Sequence, residues 1–423
     1  MEDGLERRIL SIIFFIVFVD LIGFGILIPV ITVVFADPAS SYYMLPKGTP
    51  LSMGYILLGL LLATYSIMQF LAAPILGQLS DKYGRKRLLA ISVAGTCLSY
   101  LLFALGLIIS NIPLLFFSRA IDGITGGNIS IAQASIADVT KPENRAKNFG
   151  LIGAAFGLGF IIGPFLGGVL SEPKIVSWFT SSTPFFFAAL LSFIETLLVI
   201  FVLPETIQKV SDRKLNIMQS LSNIKKSLKS KSIRGILSTI FLYQAGFTFF
   251  TTFIAVYYIG RFGWTQGDIG NMFAFVGICV AITQLFVLRR LPHNKEHEIL
   301  GITLLGSGIM LLVYVFPTAP WQLLFIIPIF SLFNGITMAY LPAIVSRSAD
   351  SNIQGEVLGM NSSVVAIAQA IPPLIAGFFA AQISPAAPLY VAAVIVLSSA
   401  ALFWQIRKHL SGGKEYKVVS YAE

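Results

Sequence analysis

Four charged side chains stand inside long apolar runs of this chain: Asp20, Arg119, Asp122 and Glu195. A charge in such surroundings is costly unless it is paired or neutralised, so each is a candidate for chemistry. A carboxyl group that alternates between solvent and a nearby cation can take up and release a proton, because desolvation favours the acid and the cation favours the carboxylate. Arg119 and Asp122 lie one helical turn apart in R-A-I-D-G-I-T-G-G. Arg119 is thus the expected modulator of a proton-carrying carboxylate, with Asp122 and Asp20 both open as its partner. At 100° per residue Arg119, Asp122, Gly126, Ser130, Gln133 and Ala137 share one face, a small and polar stripe suited to a wet cavity. Glu195 admits three readings: it snorkels to the aqueous boundary, pairs with another group, or serves as a second protonation site.

Long apolar segments must position these groups. With 56% apolar and 12% charged residues among 423, and a mean hydropathy of +0.83, the chain carries more apolar surface than a soluble protein of this size can bury. A soluble enzyme, a disordered chain and a single-span receptor are excluded. Apolar runs read against polar breaks give an all-α membrane protein with twelve spans, at 9–35, 53–79, 88–110, 113–138, 148–170, 182–203, 235–260, 267–288, 298–316, 321–345, 357–380 and 387–406. The first run is much longer than a signal-peptide core, so it is expected to be retained.

If the N-terminus is cytoplasmic, 25 of the 29 Lys and Arg residues fall in cytoplasmic loops and ends, and only Lys47, Lys174 and Arg261 fall outside. Basic loops resist translocation, so this bias puts both termini in the cytoplasm. It also accounts for the net charge of +9 without nucleic acid. The longest polar stretch divides the chain into an N-terminal six-helix bundle (1–203), a central cytoplasmic loop (204–234) and a C-terminal bundle with a tail (235–423). In that loop Leu215, Met218, Leu221, Ile224 and Leu228 recur every three or four residues beside Lys225, Lys226, Lys229 and Lys231. An amphipathic helix along the cytoplasmic face and a solvated linker are both compatible with this pattern. The halves repeat: Asp122-Gly-Ile-Thr matches Asn334-Gly-Ile-Thr, Gly150, Pro164 and Gly168 match Gly359, Pro373 and Gly377, and Gly23 matches Gly246. Parallel repeats of this kind belong to secondary transporters with a substrate site at the repeat interface.

The loop after the second segment reads G-Q-L-S-D-K-Y-G-R-K-R at 77–87 and resembles the signature loop of the major facilitator superfamily. Gly77 would allow close helix contact, Gly84 a tight turn, and Asp81 and Arg85 a charge pair at the membrane boundary. The resemblance implies that Asp81 and Arg85 join Asp138 in a latch that holds the outward-open state. The second half carries Arg289-Arg-Leu-Pro-His in the corresponding place, so the latch is asymmetric. The fifth segment, with Gly150, Gly159, Gly163, Pro164, Gly167 and Gly168, resembles the motif of drug:proton antiporters in that superfamily. Its glycines act through close packing and its proline through a bend. Segment one, D-L-I-G-F-G-I-L-I-P from Asp20, resembles tetracycline-type exporters, and segment four resembles the family's conserved-arginine motif, with Asp122 where a polar amide is usual.

The resemblance implies proton-coupled export of a small amphipathic molecule or drug by alternating access, with a monomer in the bacterial inner membrane. The alternatives are a proton-coupled importer or facilitator of a metabolite, and, from another class, a membrane enzyme or channel. Gln133, Tyr243, Gln244, Phe247, Phe250, Gln284, Asn334, Asn361 and Gln369 offer aromatic and neutral polar groups for substrate. No cofactor or metal is expected. His293-Asn-Lys-Glu296-His297 matches a zinc-protease spelling but sits in a short basic loop with no third ligand, and Cys97 and Cys279 lie far apart in apolar runs.

Overall fold

The structure, a computed structural model, describes residues 2–140, 145–207, 216, 218–229, 233–292, 295–347 and 354–410. Leu215, Lys231, His293 and the tail after Leu410 lie outside them, as do the surroundings of Gly150. The described chain is helical: α1 Glu2–Ala36, α2 Leu51–Tyr83, α3 Arg85–Ile108, α4 Ile112–Thr125, α5 Asn128–Val139, α6 Arg145–Val169, α7 Thr183–Phe201, α8 Gln219–Lys229, α9 Arg234–Phe262, α10 Gln266–Ile282, α11 Glu296–Val313, α12 Leu323–Arg347, α13 Gln354–Gln382 and α14 Ala387–Leu410. The chain continues from α10 into a π-helical turn, Thr283–Val287.

Among the described residues ten helices are long and apolar enough to cross a membrane, and α6 adds a shorter apolar stretch, Gly157–Val169. The protein is a multi-pass integral membrane protein. Helix α7 shows how the sequence meets lipid: Phe186, Leu190, Phe193, Leu197 and Ile200 are exposed, whereas Ala189, Ser192, Glu195 and Val199 are buried. Backbone groups are satisfied within each helix, so side-chain packing decides which face turns inward.

One expected span is not a single helix. The segment at 113–138 breaks at Gly126 and Gly127, whose ψ angles are −2° and −4°, into α4 and α5. The physical reason is a close approach to α2: a Cβ on Gly126 would stand 2.8 Å from the Tyr65 hydroxyl, and one on Gly127 would stand 2.9 Å from Ala73 Cα. The freed Gly126 carbonyl accepts a hydrogen bond from Gln69 Nε2 at 2.9 Å. The single polar stripe expected across this segment is interrupted accordingly, and Ser130 faces α2, where its hydroxyl donates to the Ala73 carbonyl at 2.9 Å.

By compactness the chain divides into one unit of Met1–Gln219 with Ala255–Gly277 and another of Ser220–Ile254 with Ile278–Glu423. In the first, α1 packs along α6 through facing small residues. Leu21, Ile22, Gly25 and Ile26 lie against Gly159, Gly163 and Gly167. Gly168 points elsewhere, onto Gly270 of α10, and the two Cα atoms approach so closely that a Cβ on Gly168 would stand 2.9 Å from Gly270 Cα. In the second, α8 is the amphipathic helix of the central loop. Its Asn223 donates to the Gly359 carbonyl (3.4 Å) and to Ser363 Oγ (3.2 Å) on α13.

A Cβ at position 163 would meet the Ile22 carbonyl oxygen at 2.7 Å and Gly25 Cα at 2.8 Å, both backbone atoms that cannot swing aside. Gly163→Val is therefore expected to lower stability by about 1–3 kcal/mol, seen as a reduced thermal unfolding midpoint in detergent. Gly260→Ala, where nothing lies within 4 Å, is expected to leave it unchanged.

Candidate functional site

The first unit gathers Asp20, Asn128, Arg119, Asp122 and Tyr65 from α1, α5, α4 and α2. Arg119 and Asp122 are almost wholly buried, at 2% and 3% exposure, and form a charge-assisted hydrogen bond between Nη1 and Oδ2 one turn apart. The guanidinium stacks on the Tyr65 ring, with Cζ 4.5 Å from its centroid. Tyr65 is in turn fixed by Gln69, whose Nε2 donates to the phenol oxygen at 3.0 Å and to the Gly126 carbonyl. Thr125 and Thr96 hydroxyls lie 3.0 Å apart and tie α4 to α3.

Asp20 takes a different partner: Oδ2 accepts from Asn128 Nδ2, the first residue after the break between α4 and α5. Its other oxygen, Oδ1, is buried without a hydrogen-bond partner, as are Arg119 Nε and Nη2. The site thus holds one closed ion pair together with spare donors and a spare acceptor. Gly23, one turn beyond Asp20, admits the buried Tyr100 hydroxyl, which would overlap any Cβ there.

Glu195 does not snorkel. It is 0% exposed on the inward face of α7, and neither carboxyl oxygen has a hydrogen-bond partner. The distance from the helix end and the apolar residues around it prevent the short Glu side chain from reaching water.

At the start of α3, Arg85 pairs with Asp81 and with Asp138, the latter through Nε at 2.9 Å. It also donates to Ser80 Oγ (2.7 Å) and approaches the Gly77 carbonyl (3.5 Å). Gly84 adopts φ +98°, which favours glycine. Gly77 is not crowded: a Cβ would meet Ser130 Oγ at an ordinary 3.5 Å, so its carbonyl matters more here than its missing side chain. Glu205 completes the cluster by accepting from the Arg85 amide (2.8 Å) and the Lys86 amide (3.3 Å) at the N-terminus of α3, where a carboxylate is favoured.

In the second unit Tyr243 donates to Asn334 Oδ1 and stacks on Phe247, ring centroids 6.3 Å apart. Phe250, Tyr314 and Phe330 form an adjoining aromatic group. Gln133 lies on α5 of the first unit; Gln284 lies in the π turn, Asn361 and Gln369 on α13 and Gln244 on α9, and no described side-chain contact brings these four to the Tyr243 and Asn334 pair. Among the described residues no group of three or more His, Cys, Asp or Glu could hold a metal.

Sequence reasoning overlooked Asn128, Tyr65, Gln69, Tyr100 and Glu205. Two signals were available: paired glycines that mark a helix break with an amide side chain immediately after it, and a Pro-Glu pair closing the sixth span.

Ionisable groups buried inside membrane-spanning helices, here an ion pair beside a second carboxyl, mark a functional-site candidate. The sequence profile of the Major Facilitator Superfamily matches residues 13–296. Over 378 residues the chain is 32% identical to the tetracycline resistance protein, class H, of Pasteurella multocida, covering 88% of this chain and 89% of that one. It is 28% identical over 416 residues to the quinolone resistance protein NorA of Staphylococcus aureus (strain MSSA476), covering 96% and 98%. The human organic anion transporter MFSD10 (TETRAN) shares the fold, with a TM-score of 0.71, 24% identity and coverage of 94% and 99%. The chain belongs to the Major Facilitator Superfamily and, as a member, carries small molecules across the membrane.

Removing the cap on α3 tests the reading of Glu205. Glu205→Ala is expected to destabilise the protein by about 1 kcal/mol, and Glu205→Gln by less, since an amide oxygen still accepts from the backbone. Thermal unfolding of the purified variants measures both.

Proposed function

We propose that this protein is a proton-coupled secondary active transporter that exports small amphipathic molecules, drugs among them, by alternating access. The observation that carries the reading is the buried Arg119 and Asp122 pair with Asp20 beside it, half satisfied by Asn128. Asp20 is the proton carrier. Its unpartnered Oδ1 gives a proton a place to bind, and Asn128 holds the carboxyl in place in either state. Arg119 has Nε and Nη2 to spare, so it can stabilise a newly formed carboxylate without first leaving Asp122. Tyr65 screens the guanidinium from lipid and fixes its plane.

Relatives whose names denote tetracycline and quinolone resistance support export over import and make these two compound classes the first probes. The packed glycines of α6 suit the antiporter motif that its sequence resembles. The excess of Lys and Arg on one side of the membrane supports cytoplasmic termini, and the bacterial relatives support the inner membrane of a bacterium. The Arg85 cluster with Asp81, Asp138 and Glu205 is the latch that one conformation makes and the other breaks. We take the working unit to be the monomer. One proton moving down about 100 mV releases about 2.3 kcal/mol. At 1.4 kcal/mol per tenfold, that supports roughly a fortyfold outward gradient of a neutral solute.

Proteoliposomes with an imposed pH gradient test the proposal. Tetracycline or a quinolone is expected to move against the proton, and movement of either with the proton would contradict antiport. Asp20→Asn and Asp122→Asn are each expected to reduce gradient-driven transport by about 100-fold while leaving probe binding measurable. Survival of coupled transport in both variants would overturn the site assignment.

A further inference from the structure

The proposed mechanism does not use Glu195, although it is the most completely enclosed carboxyl among the described residues of the first unit. Helix α7 packs against α3 and α1. Its antiparallel register on α3 is fixed at two points: Phe185 meets Phe103 with ring centroids 4.4 Å apart, and the Ala189 carbonyl accepts from Cys97 Sγ at 3.3 Å. Carried another turn and a half, the same register sets Ser92 of α3 opposite Glu195. Ser92 is 1% exposed and Ser192, one turn before Glu195 on its own buried face, is 0% exposed. Both hydroxyls lack a hydrogen-bond partner, as do Oε1 and Oε2 of Glu195. One buried apolar cluster of the same three helices holds Leu88, Leu89 and Val93 of α3, Ile16, Val17 and Leu21 of α1, and Val199 of α7.

Such a pocket has no place for an unpaired carboxylate. Among the described residues no cation forms an ion pair with Glu195; Arg119 pairs with Asp122, Arg85 pairs with Asp81 and Asp138, and Lys86 and Arg87 lie in the first turn of α3. The other titratable groups of the packed helices are Cys97, which donates to the Ala189 carbonyl, Tyr100, which faces Gly23, and, on α1, Asp20 with Glu6, Arg7 and Arg8 near the helix start.

We propose that Glu195 is a second exchangeable proton site, held dry by α1, α3 and α7 and lined by Ser92 and Ser192. On release the O–H bond on Glu195 breaks, the proton passes to a water molecule and the negative charge stays on the carboxylate. The serine hydroxyls then turn to donate to the carboxylate left on Glu195. This inference rests on the reading of the protein as proton-coupled and adds a second carboxyl to it.

The test is infrared difference spectroscopy of the full-length protein in liposomes, titrated with acid and base in H2O and in D2O. Wild type is expected to show a carboxylic C=O band in the region of acids free of strong hydrogen bonds, shifting on deuteration and fading as pH is raised. Glu195→Gln is expected to lose that band, and Asp20→Asn to keep it. The proposal is overturned if Glu195→Gln retains every pH-sensitive carboxyl band. It is overturned equally if the wild-type protein shows no such band or one that neither deuterium nor pH alters, results that do not depend on a variant folding. If the band behaves as expected but Asp20→Asn transports normally, the assignment of Asp20 as carrier fails while the Glu195 site stands.

Discussion

A guanidinium buried at the level of lipid tails must find a counter-charge within its own bundle, and much of the first unit is arranged around that need. Arg119 is 2% exposed and pairs with Asp122 in the same helix turn. Breaking such a pair by removing one partner leaves an uncompensated charge and costs about 3–5 kcal/mol. Tyr65 covers the cation, Gln69 fixes Tyr65, and the carbonyl that Gln69 also engages is the one freed where α4 gives way to α5. The break in turn places Asn128 at the start of α5, where it holds Asp20. The ion pair, the helix break and the second carboxyl are therefore one connected arrangement.

The internal repeat shows what the charge adds. By the offsets that relate the halves, Asp20 corresponds to Tyr243, Arg119 to Ser331 and Asp122 to Asn334. In the second unit Tyr243 and Asn334 join directly through a neutral hydrogen bond, with aromatic rings packed beside them. The same positions that carry charge in the first unit therefore serve packing and neutral polar contact in the second. Under the proposed function, this division gives proton handling to one unit and leaves neutral and aromatic contacts for an amphipathic solute in the other.

Much of this was legible in the sequence because the bilayer restricts the choices. Apolar run length and loop charge gave the helical membrane fold, and the cost of intramembrane charge singled out Asp20, Arg119, Asp122 and Glu195. The pairing of Arg119 with Asp122 instead of Asp20 was not legible, since helical spacing permits the first but cannot place a second helix. Periodicity also carried the α4 and α5 segment through Gly126 and Gly127 as one helix. The break arises from the close approach of α2, a tertiary contact that no local pattern contains. Glu205 was missed because a capping carboxylate 120 residues from the amide it serves leaves no mark in local spacing.

The proposed antiport requires that substrate binding and protonation of the first unit's carboxyls oppose one another. The most direct measurement is proton release on binding, recorded with a pH indicator as tetracycline or a quinolone is added to purified protein in weakly buffered detergent. The account predicts release of about one proton or more per bound molecule, abolished when Asp20 and Asp122 are both replaced by Asn. Saturable binding with no change in pH would contradict it.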